Sequence, residues 1–496
     1  MQYVFISYSH RDSDIMQVVR DRLREAGFNV WTDENLEPGT PSWVQAIVSA
    51  LYSSCAVVAL LSPDACKSQW VERELIFAQQ NEVPVYPLLV RGNQNNSVPF
   101  LLINVQYIDA RQDLNGALTR LIETLPRDCK SETKKEYVVA QTGGGDFRSI
   151  AEALAAVPER SIIKVRPGRY RESLTLNKEV EIIGEGKRAR IVIETRGAHC
   201  ITMATDRAIV RNLTLRQRSQ QSDGKSCVYV PQGQLLLENC DLTSESFCGI
   251  EICNAGAAPI IRRCAIHDSV SGGVYVHSQG AGLLEDCQIY ANALAGVAIK
   301  TGGNPTLRGC RIYEGKSVGV FVYENGAGLL EDCQIYANAL AGVEIKTGGN
   351  PTLRGCRIYE GKSSGVFVYE NGAGLLEDCQ IYADALAGVE IKKGGDPTLR
   401  GCRIYEGKGV GVFVWGNGAG LLEGCQIYAN ALAGVEIKEG GNPTLHRCTI
   451  TRNGKQAIHA VNGGKGTVEN CDLRGNAGGA WYIDDTSSVR RRNNQE

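Results

Sequence analysis

Cysteine recurs at a fixed step through the second half of this 496-residue chain. The step is 24 residues once and then 23 residues nine times. The cysteines of this series are Cys240, Cys264, Cys287, Cys310, Cys333, Cys356, Cys379, Cys402, Cys425, Cys448 and Cys471. A constant step means that one supersecondary unit is repeated, since each unit buries its apolar face against its neighbours. The sequence therefore predicts a solenoid in this half.

Each repeat contains strand-type runs. The sequence repeats most closely at 46 residues, in which two related 23-residue halves follow each other. Runs such as CQIY and GVEI are separated by Gly, Asn and Pro, and none is long enough for the helix pairs of a helical solenoid. We predict one 23-residue half per turn of a right-handed parallel β-helix, with neighbouring turns about 4.8 Å apart.

Alternation along a strand predicts which side chains face the core. The predicted inward residues of one turn are Cys287, Ile289, Val297 and Ile299, and the outward ones are Gln288, Tyr290, Ala298 and Lys300. Stacked inward thiols are slightly too far apart for relaxed disulfides, so we expect a reduced cysteine ladder that fills the core. Metal binding by the ladder is disfavoured, because no histidine cluster accompanies it.

The segment before the regular turns, GGGDFRSIAEALAAVPERSIIKVRPGRYRESLTL followed by VEIIGEG, resembles the opening of pectin-lyase-type β-helices. In that family a short helix, here about 147–156, covers the open end of the coil, where strand backbone would otherwise be unpaired. We predict the β-helix over 138–485 and a flexible tail over 486–496. The glycine run lacks the Lys-Ser/Thr of a phosphate-binding loop and is interpreted as a turn.

Residues 1–125 alternate short apolar runs with amphipathic stretches, which is the pattern of a parallel sheet covered by helices. The predicted strands are Tyr3–Ser7, Asn29–Thr32, Ala56–Leu61, Val83–Leu89 and about 106–108, and the predicted helices are about 13–25, 42–53, 68–80 and 112–125. This pattern predicts a flavodoxin-like α/β fold with a sheet of five parallel strands. The charged segment 126–137 has no apolar period and is interpreted as a linker.

Charge and hydropathy exclude some classes of partner. Lys plus Arg total 53 and Asp plus Glu total 55, so no excess charge favours nucleic acid or an anionic membrane. The sequence begins without a signal-peptide pattern, and no apolar run approaches the length of a membrane span. We therefore expect a cytoplasmic protein.

Four stretches of the first domain occur in a characteristic order: FISYSHRDSD, VWTDENLEPGTPSW, VVALLSPDACKSQWVERELIFA and VPVYPLLV. Together they resemble a Toll/interleukin-1 receptor (TIR) domain of the NAD-cleaving kind. In that family the first stretch is box 1, DENLEPG is the BB loop, and the catalytic glutamate ends a W-x-x-x-E pattern, here Trp70 to Glu74. The resemblance implies an NAD⁺ nucleosidase that takes NAD⁺ as substrate without a metal or cofactor.

Helix geometry supports Glu74 independently. At about 100° per residue, Val71, Leu75 and Ala78 form the buried stripe, with Glu74 at its edge and Glu72 pointing away. One carboxylate against the ribose hydroxyls can stabilise the positive charge that develops as nicotinamide leaves. Water attack would give ADP-ribose, and attack by the adenine ring would give a cyclic product. The alternative is an ordinary solvated helix carboxylate.

The resemblance implies further residues around the nucleotide: Phe5, Ser7, Tyr8, Arg11, Asp33, Trp43 and Trp70. Residues 33–39 would form the loop over the cleft. Trp43 either packs under that loop or stacks on the ligand, and His10 lies either in solvent or at the cleft edge. Arg11 would lie beside the phosphates, although its alignment departs from the family pattern. TIR domains of this family often complete one site from two protomers, so activity would depend on self-association.

The predicted outer surface of the β-helix carries repeated aromatic columns. Tyrosine recurs at 290, 313, 336, 359, 382, 405 and 428, and the pairs Phe321/Tyr323, Phe367/Tyr369 and Phe413/Trp415 alternate with Glu/Lys pairs. Such columns stabilise neighbouring turns by stacking. They are alternatively an interface for a protein, a glycan or a second copy of the chain.

Three functions remain open. The first is an NAD⁺ glycohydrolase effector of signalling or antiviral defence, with the β-helix as oligomerisation or ligand-sensing scaffold. The second is a non-catalytic TIR adaptor on a β-helix scaffold, and the third is a carbohydrate-binding β-helix with the TIR domain as relay. Catalysis by the β-helix is disfavoured, because its turns lack the long insertions that build lyase and esterase sites.

Overall fold

A computed structural model describes most of the chain in two compact units, residues 1–134 and 135–496. The described residues are 3–35, 47, 50–81, 83–126, 129, 135–218 and 224–496. Trp43 and most of the loop predicted at 33–39 lie outside them.

The first unit is built on a five-stranded parallel sheet. Its strands are β1 (Tyr3–Ser7), β2 (Val30–Trp31), β3 (Ser54–Leu61), β4 (Val85–Leu89) and β5 (Ile108–Asp109), in the order β2-β1-β3-β4-β5. Both faces of the sheet are covered, as the near-continuous apolar run of β3 requires. The flavodoxin-like prediction is confirmed.

Helices cover the two faces of this sheet. They are Ser13–Glu25, Pro63–Cys66, Gln69–Gln80, Gln94–Ser97 and Leu114–Thr124, with short 3₁₀ segments at His10–Asp12, Asp33–Asn35 and Phe100–Leu102. Of the helix predicted at 42–53, the described residues 47 and 50–52 are helical. Helix Ser13–Glu25 packs on the side of Ile6, whereas helix Gln69–Gln80 packs on the side of Phe5.

The segment predicted as a linker, 126–137, is divided between the units. Cys129 is fully buried in the first unit and forms a disulfide with Cys55 at the start of β3. Glu136 and Tyr137 already belong to the second unit, in the strand Glu136–Val139, which pairs with Ser161–Val165. Of the charged residues that suggested a linker, Lys135 and Glu136 are described, and both are exposed.

The second unit is a parallel β-helix, whose described residues form three sheets of 16, 13 and 14 strands. One turn contains Ala281–Glu285, Gln288–Tyr290 and Val297–Ile299, and the next begins with Asn304–Arg308. The inward columns of the predicted turn are buried. The ladder thiols from Cys240 to Cys448 each donate a weak hydrogen bond to a carbonyl of the preceding turn, as Cys310 does to Leu284. The predicted 23-residue turn and its alternation are confirmed.

Corners between the strands adopt left-handed backbone. Asp286 and Gly309 occupy the same corner of successive turns, with φ of +53° and +60°. Gly tolerates this conformation, and Asp is among the few other residues that adopt it readily. The alternation of Asp and Gly at this corner contributes to the 46-residue period, and it explains the repeated Glu-Asp pairs without a catalytic role.

A helix covers the first end of the coil. Helix Ile150–Ala156 buries Ile150, Ala153 and Leu154 against the first turns, and the Glu172 carboxylate accepts hydrogen bonds from its first backbone amides. At the other end, strand Ser488–Arg492 pairs with Lys465–Glu469. The flexible tail predicted at 486–496 is therefore wrong, because its backbone continues the sheet as the outermost strand.

Candidate active site

The acid singled out in the sequence contacts the end of the first strand. The Ser7 hydroxyl donates a 2.6 Å hydrogen bond to Oε2 of Glu74. Ser7 is the last residue of β1, and Glu74 lies on the helix that follows β3 on the Phe5 side of the sheet. The helices after β1 and β3 cover opposite faces, so this contact lies at the switch point where open α/β sheets bind ligands.

Local sequence fixes the helix that carries Glu74. The Ser62 hydroxyl caps the short helix before it by accepting from the amide of Ala65, and the Ser68 hydroxyl accepts from the amide of Val71. Val71, Leu75 and Ala78 are buried, as the helical stripe predicts. Glu74 itself is half-buried, whereas Glu72 is exposed.

Burial dominates the electrostatics of Glu74. It raises the pKa of this carboxyl to about 7, and the negative charge of Asp33 adds to the effect. The hydrogen bond from Ser7 opposes both, since it stabilises the carboxylate. A carboxyl that titrates near neutrality, at the edge of a sheet where ligands bind, is typical of a functional acid.

A second polar cluster lies beside this pair. The Tyr8 hydroxyl donates a 2.6 Å hydrogen bond to Oδ1 of Asp33, and Nε2 of His10 lies 3.3 Å from Oδ2 of the same carboxylate. Burial and the Asp33 carboxylate raise the pKa of Tyr8. His10 is largely exposed, so it lies at the edge of this cluster. The structure therefore groups Ser7, Tyr8, Asp33 and Glu74 around the carboxyl ends of β1, β2 and β3.

Arg11 lies in a different arrangement. Its Nη1 atom is 3.1 Å from Oδ1 of Asp64, and Arg91 reaches both Asp64 and the buried Asp12. Asp12 also accepts a 2.6 Å hydrogen bond from Ser62. This network ties box 1 to the loops after β3 and β4. Arg11 is thus directed toward Asp64, so the position beside the phosphates stays a prediction from the resemblance.

The aromatic residues have separate roles. Phe5 is almost fully buried and stacks on Trp31, with ring centroids 4.9 Å apart. Its side chain therefore packs against the neighbouring strand β2 and does not line a cleft. Trp70 is 38% exposed, with the Arg73 guanidinium over its ring. Sequence reasoning missed Trp31, although an aromatic residue at the carboxyl end of a short strand was the available signal.

The outer surface of the β-helix carries the predicted columns. Successive tyrosines from Tyr290 to Tyr428 stack with ring centroids 4.9 to 5.1 Å apart. Lysines lie over the aromatic pairs, as Lys346 does over Phe321 and Tyr369. Stacking between turns is therefore one role of these columns. No helix within the described residues is long and apolar enough to span a membrane.

The fold defines a two-part protein, an α/β unit with an acid at its switch point and a long parallel β-helix. Comparison with known families agrees. The TIR domain model matches residues 4–122, and the model of the right-handed β-helix region matches 199–357 and 341–495. The chain belongs to the right-handed β-helix family and carries an amino-terminal TIR domain.

Further similarities are to pectinesterases. The pectinesterase model matches residues 136–243. A pectinesterase of Daucus carota is 26% identical over 174 residues, which cover 32% of this chain and 54% of that one. Pectinesterase/pectinesterase inhibitor 18 of Arabidopsis thaliana is 32% identical over 111 residues, 18% of this chain and 20% of that one. The chain thus spans about half or less of these relatives.

Among solved structures, the A-module of the Azotobacter vinelandii mannuronan C-5 epimerase is similar, with 18% identity and a TM-score of 0.39 over 68% of this chain and 93% of that one. The catalytic domain of a GH87 α-1,3-glucanase gives 12% identity and a TM-score of 0.43 over 74% and 70% of the two chains. The fold assignment rests on the strand pairing and the family models.

Proposed function

We propose that this protein is an NAD⁺ glycohydrolase whose catalytic residue is Glu74. The observation that carries the proposal is the contact between Ser7 and Glu74 at the switch point of the TIR sheet. A purely adaptor TIR domain needs no half-buried acid at this position. The partly buried carboxyl is costly to ionise, and such groups are retained where ionisation is used.

The chemistry requires only a placed carboxylate. As the bond between nicotinamide and ribose breaks, positive charge develops on the sugar, and the bond's electron pair leaves with neutral nicotinamide. The Glu74 carboxylate, held by Ser7, accepts hydrogen bonds from the ribose hydroxyls and stabilises that charge. Water then attacks the sugar carbon and loses a proton to solvent, which gives ADP-ribose; attack by the adenine ring would give the cyclic product. Tyr8 and Asp33 border the same edge and orient the nucleotide.

The β-helix serves in this proposal as an assembly scaffold for a signalling or defence effector. Leu294, Leu340, Leu386 and Leu432 are 38 to 54% exposed and lie two turns apart in one column. Exposed leucines repeated at every second turn favour a protein interface. Assembly along it would raise the local concentration of TIR domains, so that two protomers complete each site.

The test is NAD⁺ loss by the full chain and by Glu74→Ala, measured at dilute protein and under crowding that enforces assembly. We expect turnover by the wild type that rises more steeply than linearly with protein concentration, and a loss of roughly 100-fold or more in the variant. Equal turnover in the two proteins, or none by the wild type under crowding, would contradict the proposal.

A further inference from the structure

Three metal-ligating side chains meet on the outer face of the β-helix, outside the cysteine ladder. Glu251, Cys253 and His277 place one ligand atom each within 4.8 Å of one another. Glu251 and Cys253 are two residues apart in the strand Ile250–Cys253, and His277 is the paired residue of Cys253 in the strand Val274–His277. The pairing of two successive turns therefore creates the cluster.

Strand alternation separates this thiol from the ladder thiols. Ile250 and Ile252 are fully buried in the core, so Glu251 and Cys253 project from the opposite face. Cys253 is nevertheless only 3% exposed, because neighbouring outward side chains cover it. Its thiol lies 3.5 Å from the hydroxyl of Tyr229, on the preceding turn. A covered thiol beside an imidazole and a carboxylate is a donor set that suits zinc.

Two of the three candidate ligands are held by hydroxyls. Oε2 of Glu251 accepts a 2.6 Å hydrogen bond from Ser226, which leaves Oε1 directed to Nε2 of His277 at 3.2 Å. On the other side of the imidazole, Nδ1 lies 2.9 Å from the Ser278 hydroxyl. Metal sites orient their ligands in this way, since a partner on the second nitrogen fixes which nitrogen faces the ion.

The regular turns lack this combination. In the same two outward columns, later turns carry Glu344 with Lys346 and Phe367 with Tyr369. The cluster is thus confined to the early, less regular turns. The ring of Tyr275 lies beside the imidazole of His277, with centroids 4.5 Å apart, and covers one side of the cluster.

We propose that Glu251, Cys253 and His277 bind one Zn²⁺ ion, with water in the fourth position. The ion would take the place between Oε1 and Nε2, and Cys253 would release its proton to solvent on binding. Zinc–nitrogen and zinc–sulfur bonds of about 2.0 and 2.3 Å require ligand atoms roughly 3.3 to 3.8 Å apart, so the cluster contracts by about 1 Å. The ion would join two turns of the coil and leave one position open.

Co²⁺ added to the chelator-treated full chain is the probe, because a cobalt–thiolate bond gives a charge-transfer absorption band. We expect one Co²⁺ per chain with that band, displacement by one Zn²⁺, loss of the band in Cys253→Ser, and weaker binding in His277→Gln. Ser278→Ala should weaken Zn²⁺ binding by about 10- to 100-fold while every ligand remains.

Matched controls separate this site from other thiols and imidazoles. Cys66→Ser removes an exposed free thiol, and His459→Gln removes another outward imidazole; both should bind like the wild type. Far-UV circular dichroism checks the fold of each variant. If Cys253→Ser fails to fold, the Zn²⁺ affinity of Ser278→Ala still tests the proposal. The proposal is overturned by a wild type without the thiolate band, or by a band and affinity that are the same in folded Cys253→Ser, His277→Gln and Ser278→Ala.

Discussion

Ser7 and Glu74 are 67 residues apart in sequence, and the hydroxyl of the first donates a 2.6 Å hydrogen bond to the carboxylate of the second. The pKa of Glu74 is raised to about 7, chiefly by burial. Because the carboxylate is the active form, NAD⁺ cleavage should fall about tenfold per pH unit below that pKa and reach a plateau above it. The pH profile of kcat/KM measures this fall, which is the acid limb of the profile.

Two variants should move the limb in opposite directions. Ser7→Ala removes a hydrogen bond that lowers the pKa of Glu74, so the limb should move to higher pH. Asp33→Asn removes a negative charge that raises the pKa, so the limb should move to lower pH. An acid limb at one pH in all three proteins would assign it to another group.

Glu74→Gln should stabilise the TIR domain in alkaline solution. The folded pKa of about 7 exceeds the ordinary glutamate pKa of 4.5, so the folded state loses stability as pH rises between these two values, by about 3 kcal/mol in total. The neutral amide keeps an oxygen for Ser7 and does not titrate. Hydrogen exchange of the β3 amides should show slower global opening of the variant at pH 8.5 and little difference at pH 4; destabilisation at pH 8.5 would contradict this account.

Asp384 should lower the stability of the β-helix in alkaline solution. It is fully buried, its Oδ1 accepts from the amide of Gly361, and its Oδ2 is without a hydrogen bond among the described residues. Two turns earlier Asn338 occupies this position, and its amide donates to the carbonyl of Ile312. Burial raises the pKa of Asp384 to about 8, although the hydrogen bond from Gly361 opposes the shift. Only the protonated acid can donate a hydrogen bond as the asparagine does.

The raised pKa means that stability is lost as pH rises from about 4 to 8, by an amount on the order of 6 kcal/mol. Asp384→Asn should remove this dependence and raise the thermal midpoint of the β-helix at pH 8.5. The reciprocal variant Asn338→Asp should add a second loss of the same sign. Identical midpoints of wild type and Asp384→Asn across the pH range would refute the assignment.

Arg91→Ala should destabilise the TIR domain. The Asp12 side chain is fully buried and pairs with Arg91 at 2.6 Å, so the substitution leaves a buried charge whose one remaining side-chain partner among the described residues is Ser62. We expect a loss of roughly 2 to 4 kcal/mol in unfolding free energy, measured by denaturant titration. Arg111→Ala removes an exposed ion pair with Asp109 and should leave the unfolding free energy nearly unchanged. Similar losses in both variants would contradict a special role for Asp12.

Local patterns predicted much of this architecture. The cysteine step fixed the length of a turn, and apolar periodicity located the strands and the helix of Glu74, since both signals repeat along the chain. Pairings between distant residues left no such signal. The Cys55–Cys129 disulfide, the Ser7–Glu74 hydrogen bond and the Cys253–His277 pairing depend on how separate elements meet, and the last strand, Ser488–Arg492, lacks the apolar alternation that would have marked it.

The most direct test of the account compares two acids of one helix. Nicotinamide release should be measured at saturating NAD⁺ for Glu74→Ala and for Glu72→Ala, which removes an exposed carboxylate two residues away. We expect Glu72→Ala to match the wild type within about twofold and Glu74→Ala to be slower by roughly 100-fold or more. Equal release by the two folded variants would contradict a catalytic Glu74.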